Sequence, residues 1–323
     1  MKVLNIMAFH QKELDLQFGD GINILIGENG MGKTTLLKMI YAALQYSIEN
    51  QTSGKELIHF FSNNLRDFSQ MKYPGKEKDT CYYEISDGQH FFKDYLTKKN
   101  GIVSEGWKGL NIQSVFIPTT EMLSHSKGFL AMNQKYNMPF DETQIDIIVN
   151  ASLPETKKVS QSCEIILKEI SDVINGKVVQ EDDTFYIVKN DGRKIDFSLE
   201  AEGMRKLGLL WKLIRNGLLE KNSVLLWDEP EANLNPELYP LVANILLALQ
   251  KNGVQIFLAT HSYNFAKYLE IRRTEKEQVL IHNLYRNDLG KEIMSVSAYK
   301  MEDLEPNHIM MADNQLLDEV YNM

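Results

Sequence analysis

The chain has few of the features that mark disulfide-bonded, zinc-binding or membrane-spanning proteins. Its 323 residues include two cysteines, Cys81 and Cys163, which are far apart and belong to no paired motif. A disulfide framework or a zinc site is therefore not expected. Charges and a histidine interrupt the apolar start of the chain, and no run of about twenty apolar residues follows. We therefore expect no signal peptide and no membrane span, and the composition favours a cytoplasmic protein.

The chain also lacks the excess of basic residues that is typical of nucleic-acid-binding proteins. It contains 35 Lys and Arg against 44 Asp and Glu, a net charge of -9. A uniformly basic surface is thereby excluded, but a local DNA-binding strip is not. Two short runs are candidates for such a strip, with a solvated polar loop as the more common meaning: Lys93, Lys98 and Lys99, and Arg272, Arg273 and Lys276.

Apolar runs that are typical of strands recur along the chain, several of them separated by helical patterns. They are INILIG (residues 22–27), QSVFIP (113–118), SVLLWDE (223–229), VQIFLATHS (254–262) and QVLIHNLYR (278–286). This order predicts an α/β fold with a mostly parallel sheet flanked by helices. Residues 1–9 and 14–18 predict an N-terminal antiparallel strand pair that leads into it.

Two stretches interrupt the α/β pattern, and we predict them to be α+β insertions in one domain of residues 1–323. The first, residues 51–111, contains a hairpin that turns at Asp87-Gly88. The second, residues 141–198, has helical periodicity over residues 155–174 and then a hairpin that turns at Asp191-Gly192. No internal repeat or low-complexity linker separates them, so both are expected to pack on one core.

The segment GENGMGKTT, residues 27–35, fits the pattern G-x-x-x-x-G-K-[ST] between a predicted strand and a predicted helix. Its glycines allow backbone N–H groups to face phosphates, Lys33 is expected to reach the outer phosphates, and the Thr34 hydroxyl to ligate Mg²⁺. An ordinary strand-to-helix turn is the alternative. The predicted phosphate-binding residues are Asn29, Gly30, Met31, Gly32, Lys33, Thr34 and Thr35. No guanine-reading Asn-Lys-x-Asp segment follows, which favours ATP over GTP.

Two acidic residues stand at the end of the strand SVLLWDE, where open α/β sheets place their chemistry. Asp228 is expected to hold Mg²⁺ through water, and Glu229 to act as the general base on the attacking water. His261 follows the next strand and is expected to sense or stabilise the γ-phosphate. A solvated loop and a structural histidine are the alternatives. The phosphate loop upstream favours the catalytic interpretation.

Four segments resemble, in chain order, motifs of ABC-type ATPases. GENGMGKTT resembles the phosphate loop, and EAEGMRKL stands where the family has its signature segment. LLWDEPEANLNP resembles the Walker B strand with the D-loop, and ATHS resembles the histidine loop. The resemblance implies an ATP-dependent head-to-tail homodimer or higher oligomer, with ATP held between each phosphate loop and the partner's signature segment. The family's L-S-G-G-Q is altered, since Ala201 and Glu202 replace Ser and Gly and only Gly203 is retained. Phosphate contact at Ala201 and Gly203 would then rest on backbone N–H groups and the helix N-terminus, with Arg205 or Lys206 as compensating cations.

Two further positions are assigned from this resemblance. Glu121 stands where the family has a Mg²⁺-contacting Gln, and its carboxylate would reach the ion by way of water. Phe9 is a candidate by position to stack on adenine, with a core position as the favoured alternative.

In detail, the pattern most resembles the stand-alone AAA-family, OLD-like ATPases, on IGENGMGKTTLLK, FIPTTEMLSH, AEGMRKLG, DEPEANLNP and the C-terminal tail. Relatives of this kind form the ATPase part of OLD nucleases and of Septu-, Gabija- and PARIS-type phage defence systems. Because nothing after His261 resembles a TOPRIM or HNH nuclease site, the resemblance implies a sensor subunit that works with a separate effector chain. The alternatives are a DNA-repair or chromosome-maintenance ATPase of the SMC or RecF kind, and a transporter subunit, which the altered signature disfavours.

Overall fold

A computed structural model describes residues 1–10, 12–48, 56–62, 64–65, 68–75, 80–95, 101–136, 138–275, 277–287 and 292–322. The strands in these ranges are β1 (Lys2–Leu4), β2 (Leu14–Asp15), β3 (Ile22–Gly27), β4 (Tyr82–Ser86), β5 (Phe91–Tyr95), β6 (Gly101–Glu105), β7 (Ser114–Ile117), β8 (Gly176–Glu181), β9 (Thr184–Lys189), β10 (Lys194–Asp196), β11 (Val224–Asp228), β12 (Gln255–Ala259), β13 (Val279–Arg286) and β14 (Ile293–Ala298). The α-helices are α1 (Lys33–Tyr46), α2 (Phe129–Tyr136), α3 (Glu142–Ser152), α4 (Gln161–Ile174), α5 (Glu202–Arg215), α6 (Tyr239–Lys251), α7 (Tyr263–Arg272) and α8 (His308–Tyr321). None of the helices in these ranges is both long and apolar enough to cross a membrane.

A six-stranded sheet in the order β14-β13-β3-β12-β11-β7 forms the centre of the molecule. Five of its strands are parallel, and β14 pairs antiparallel with β13. Every residue of β3 and β11 is buried, as expected for strands that are covered on both faces. The predicted mostly parallel α/β sheet is therefore confirmed. The carboxyl ends of β3, β11 and β12 share one edge of this sheet.

Alternate residues of the central strands enter two different cores. Ile24 and Ile26 pack with side chains of α3 to α7, whereas Leu25 packs with α1 and the N-terminal strands. This separation follows from the two-residue period of a strand. Helix α1 thus lies on one face of the sheet, and α5 and α6 lie on the other.

The N-terminal strands pair antiparallel, as predicted, but they belong to a second sheet. Its order is β2-β1-β4-β5-β6, and Val3 of β1 lies opposite Tyr83 of β4. Strands from the stretch predicted as the first insertion therefore complete the sheet begun by the N-terminus. The hairpin between β4 and β5 turns at Asp87-Gly88, as predicted. Residues 49–55, 63, 66–67, 76–79 and 96–100 lie outside the described part of the chain.

The second predicted insertion contains α3, α4 and a three-stranded antiparallel sheet in the order β10-β9-β8. Its hairpin turns at Asp191-Gly192, as predicted. The helix predicted over residues 155–174 begins only at Gln161, because the Ser160 Oγ accepts the Cys163 N–H at 3.2 Å as its N-cap. The division of the chain into one domain with two insertions stays a prediction.

Candidate nucleotide-binding site

The turn between β3 and α1 has a backbone shape that requires glycine. Gly27, Gly30 and Gly32 have φ values of 140°, 77° and 82°. A Cβ on Gly27 would lie 2.2 Å from the Leu284 carbonyl oxygen, and one on Gly32 would lie 2.4 Å from Cζ of Phe9. Gly32 is also the N-cap of α1 and has no side chain to cap the helix. The first N–H groups of α1 are therefore available to an anion.

The buried Lys33 ammonium holds the loop around itself. Its Nζ donates to the carbonyl oxygens of Gly27 at 2.6 Å and Glu28 at 3.0 Å, and lies 3.2 Å from Nδ1 of His261. Burial lowers the pKa of Lys33 to about 8, although the carboxylates of Glu229, Asp228 and Glu231 oppose this shift. The predicted phosphate-binding lysine is thus positioned beside the predicted catalytic residues.

A buried carboxylate and two hydroxyls form the candidate metal site. The Thr34 hydroxyl donates to the Asp228 carboxylate at 2.9 Å, and the Thr119 hydroxyl donates to the same group at 3.1 Å. Burial raises the pKa of Asp228, and these two hydrogen bonds counteract the rise. Hard oxygen ligands of this kind suit Mg²⁺, so Thr34 and Asp228 fit the predicted ion. Thr119 is not predicted by the sequence motifs; it lies two residues beyond the end of β7, at the same sheet edge.

Glu229 and His261 form a pair at the ends of β11 and β12. Glu229 has a left-handed backbone, with φ 49°, and its N–H donates to the Ala259 carbonyl oxygen at 2.8 Å. Its Oε1 lies 3.1 Å from Nε2 of His261, and the two side chains are 32% and 35% exposed. Because Lys33 donates to Nδ1 of His261, the imidazole carries its proton on Nε2 and donates it to Glu229. A base with this exposure is accessible to water.

A second glutamate, which sequence analysis missed, holds the backbone beneath His261. Oε1 of Glu231 accepts the Thr260 hydroxyl at 2.6 Å and the His261 N–H at 3.0 Å. Its sequence signal is its position two residues after Glu229, in the segment assigned to the D-loop. Glu231 therefore fixes the loop that presents the imidazole.

The two signature residues predicted to contact phosphate lie at the start of α5. Ala201 is the exposed N-cap, and its methyl group cannot accept hydrogen bonds from the free N–H groups of the helix. Gly203 lies in the first turn, where an added Cβ would be 3.2 Å from Cδ1 of Leu234. The start of α5 thus has N–H groups available for an anion, and the predicted phosphate contact stays a prediction.

Other candidate residues have partners within the protomer. The Glu121 carboxylate accepts the backbone N–H of Leu123 at 2.5 Å and pairs with Arg205 at 3.1 Å, so its Mg²⁺ contact stays a prediction. Lys206 donates to two backbone carbonyls. Phe9 is 1% exposed and packs in the core, which was the favoured interpretation.

The predicted basic strips are also engaged where the structure describes them. Lys93 pairs with Glu84 at 3.0 Å. Arg272 bonds to Asn244, and Arg273 bonds to the Val279 carbonyl oxygen. Three further lysines of these strips lie outside the described residues: Lys98, Lys99 and Lys276.

Comparisons with known proteins show which families and folds the chain is similar to. Residues 126–266 match the family model described as "AAA domain, putative AbiEii toxin, Type IV TA system". A solved SMC head bound to the C-winged helix domain of ScpA matches with a TM-score of 0.56 at 14% identity, covering 92% of this chain and 96% of that chain. The chain has the fold of an SMC head.

Curated relatives are found among proteins of DNA replication and repair. The "DNA replication and repair protein RecF" of Streptococcus uberis is 29% identical over 210 residues, 64% of this chain and 55% of the relative. The RecF of Clostridium kluyveri is 30% identical over 118 residues, 36% of this chain and 27% of the relative. The chain thus spans at most 55% of the length of these two relatives. Over parts of its length the chain is thus similar to the AAA-domain family model and to RecF proteins, and its fold is that of SMC heads.

Proposed function

We propose that the protein hydrolyses ATP, and that two copies close head to tail on ATP and open after hydrolysis. The observation that carries this proposal is the convergence of Lys33, Thr34, Asp228, Glu229 and His261 at one edge of the central sheet. Lys33 binds the outer phosphates, and Thr34 and Asp228 would hold Mg²⁺, which would neutralise phosphate charge. Glu229 takes the proton of the attacking water. The Nε2–H of His261 holds Glu229 in the structure and is the donor that turns to the γ-phosphate when ATP is bound.

The dimer part of the proposal is supported by the start of α5. Its N–H groups lack a side-chain cap at Ala201, and the residue is exposed. A phosphate from a second copy satisfies those N–H groups and interacts favourably with the helix dipole. The SMC-head fold is compatible with this head-to-tail arrangement.

The test compares Glu229→Gln, Lys33→Ala and the exposed control Glu220→Gln by nucleotide binding, turnover and molar mass in Mg-ATP. Glu229→Gln should bind ATP, become dimeric and hydrolyse at least about a hundredfold more slowly, because it lacks the general base. Lys33→Ala should lose binding, and Glu220→Gln should behave as the native chain. An ATP-bound Glu229→Gln protein that stays monomeric would exclude the head-to-tail model.

We further propose that this switch acts in the cytoplasm as the sensor subunit of a phage-defence or toxin-like system, with a separate effector chain of nuclease or toxin type. Support comes from the matched family model, whose description names a putative toxin, and from the resemblance to OLD-like ATPases. Tagged Glu229→Gln and Lys33→Ala should be purified from native cells in Mg-ATP and compared by mass spectrometry. A stoichiometric effector enriched with Glu229→Gln supports the role, and identical protein content in both samples contradicts it.

A DNA-responsive ATPase is the second candidate, and the RecF similarity favours it. The structure adds a cleft of about 790 Å³ whose lining has more basic than acidic residues: Lys157, Lys158, Lys168, Lys177 and Arg215 against Glu155 and Glu164. DNA bound there should stimulate turnover, and salt should weaken the effect because phosphate contacts release counterions. The double variant Lys168→Glu/Lys177→Glu should lose the stimulation and keep basal turnover. Stimulation that is absent in the native chain would remove this candidate.

A further inference from the structure

Helix α5, which begins in the signature segment, is hydrogen-bonded to the D-loop segment of the same chain. We define the D-loop segment as residues 229–234. The Nζ of Lys206 donates to the carbonyl oxygens of Glu229 at 3.2 Å and Ala232 at 2.5 Å. The Asn233 amide donates to Oε1 of Glu202 at 2.8 Å. Three residues of the D-loop segment are thus bonded to the first turns of α5.

Lys206 occupies a position that is costly for a lysine. It is 3% exposed, and burial lowers its pKa, although the carboxylates of Glu202, Glu231, Glu229 and Asp228 oppose the shift. Both of its hydrogen-bond acceptors are backbone carbonyls. A buried ammonium is retained only where its hydrogen bonds repay the lost hydration. Packing alone would be served by an apolar side chain of similar length, so the cation has a role in holding the D-loop segment.

The D-loop segment is in turn bonded to the reacting groups of the same site. Glu229 belongs to it and keeps its left-handed backbone with its N–H on Ala259. Glu231 belongs to it and accepts the Thr260 hydroxyl and the His261 N–H. The two carbonyls bound by Lys206 therefore flank Glu231 and include that of the base itself. Any displacement of α5 changes the setting of both Glu229 and His261.

We propose that Lys206 is a positioning residue that couples the signature segment to the base of the same protomer. The inference rests on the proposed function, in which the start of α5 receives the phosphate of the neighbouring copy's ATP. A phosphate bound at that helix start then fixes the position of α5. Lys206 transfers this position to Glu229 through its hydrogen bond to the Glu229 carbonyl oxygen. Each copy hydrolyses its own ATP efficiently only when its neighbour's ATP is in place.

Three variants separate this role from general stability: Lys206→Met, Lys206→Arg and the control Lys212→Met. Lys212 lies on the same helix, is 5% exposed and pairs with Glu155, away from the D-loop segment. For Lys206→Met we expect kcat to fall at least about tenfold, with ATP affinity within about twofold of the native value, because a displacement near 1 Å is enough to misplace a base. Its dependence of rate on ATP should change from sigmoidal to hyperbolic. Lys206→Arg should recover part of kcat, and Lys212→Met should keep both kcat and the sigmoidal dependence.

Hydrogen exchange gives a readout that is independent of turnover. In Glu229→Gln with Mg-ATP, both residues 27–35 and residues 229–234 should gain protection. Adding Lys206→Met should remove the gain at 229–234 and leave that at 27–35.

Absence of the gain at 27–35 in the parent would refute ATP binding, and hence the proposed function. Unchanged protection at 229–234, or a kcat equal to that of Lys212→Met, would overturn the role of Lys206 alone. If Lys206→Met does not fold, Lys206→Gln takes its place, because its shorter neutral side chain loses the charge and the reach to both carbonyls; unchanged protection at 229–234 in that variant would overturn the proposal.

Discussion

At the scale of single residues, the setting of Asp228 depends on a hydroxyl to which none of the sequence motifs assigns a role. The Thr119 hydroxyl donates to the Asp228 carboxylate at 3.1 Å, and the neighbouring Thr120 is exposed. Thr119→Val removes the donor with little change in shape. We expect it to raise the Mg²⁺ concentration for half-maximal turnover by about tenfold or more, as outer-shell partners of metal ligands do.

The adjacent threonine provides the matched control for this change. Thr120→Val should leave the Mg²⁺ dependence at its native value, and Thr119→Ser, which keeps the hydroxyl, should do the same. Titrating Mg²⁺ at saturating ATP measures all three. Equal curves for Thr119→Val and Thr120→Val would mean that Thr119 does not support the metal site.

Two glycines of the phosphate loop share a left-handed backbone but differ in their surroundings. A Cβ on Gly32 would lie 2.4 Å from Phe9, whereas nothing lies within 4 Å of one on Gly30. Gly30→Ala should cost only about 1–2 kcal/mol of backbone strain. Gly32→Ala must also displace the Phe9 ring, so its free energy of unfolding and its ATP affinity should fall further. Denaturant unfolding and nucleotide titration measure the two effects. A Gly30→Ala protein that is as impaired as Gly32→Ala would contradict the expected difference.

At the scale of elements, a buried carboxylate in the hairpin of β4 and β5 makes stability depend on pH, since its Oδ2 has no hydrogen-bond partner among the described residues. Asp94 is 1% exposed and lies opposite Tyr83, and burial raises its pKa to about 7. Between the unfolded pKa near 3.9 and the folded value, the native state holds the extra proton. The free energy of unfolding therefore falls as pH rises through this window, by a total on the order of a few kcal/mol. Above pH 7 the whole of this contribution is lost.

The variant Asp94→Asn should remove this dependence because its amide stays neutral. We expect it to raise the melting temperature at pH 8 and to change it little at pH 4. The control Asp191→Asn alters an exposed hairpin aspartate and should give no gain at pH 8. A gain from Asp94→Asn that is equal at both pH values would show that its charge is not the cause.

The elements also show which parts of the molecule can be predicted from sequence. The strands of the parallel sheet are continuous apolar runs, and the loops after β3, β11 and β12 contain motifs, so both the sheet and the positions of Lys33, Asp228 and His261 follow from local patterns. Thr119 could not be predicted, because its contact with Asp228 depends on the pairing of β7 with β11, about 100 residues further along. The assignment of β1 to a second sheet likewise depends on its pairing with β4.

At the scale of the whole molecule, the proposed dimer places a surface of one copy against a different surface of the other copy. The two surfaces lie on different elements of the chain. The phosphate loop opens at the start of α1, and the signature segment opens at the start of α5, each without a side-chain cap. In the proposed head-to-tail arrangement, one ATP would lie between the start of α1 of one copy and the start of α5 of the other. If the dimer forms as proposed, it stabilises the ATP-bound fold, and the melting temperature in Mg-ATP should depend on protein concentration.

Ala201 allows this link to be broken without harm to the fold. In the Glu229→Gln background, Ala201→Asp should cap α5 and stabilise the monomer by about 1 kcal/mol, while its carboxylate repels the neighbour's phosphate. In Mg-ATP this protein should keep the ligand-induced rise in melting temperature from its own phosphate loop but lose the dependence on protein concentration. Ala201→Ser caps the helix without a charge and should remain dimeric. Because both variants cap the helix and only the aspartate carries a charge there, equal dimerisation of both would show that the start of α5 does not receive a phosphate.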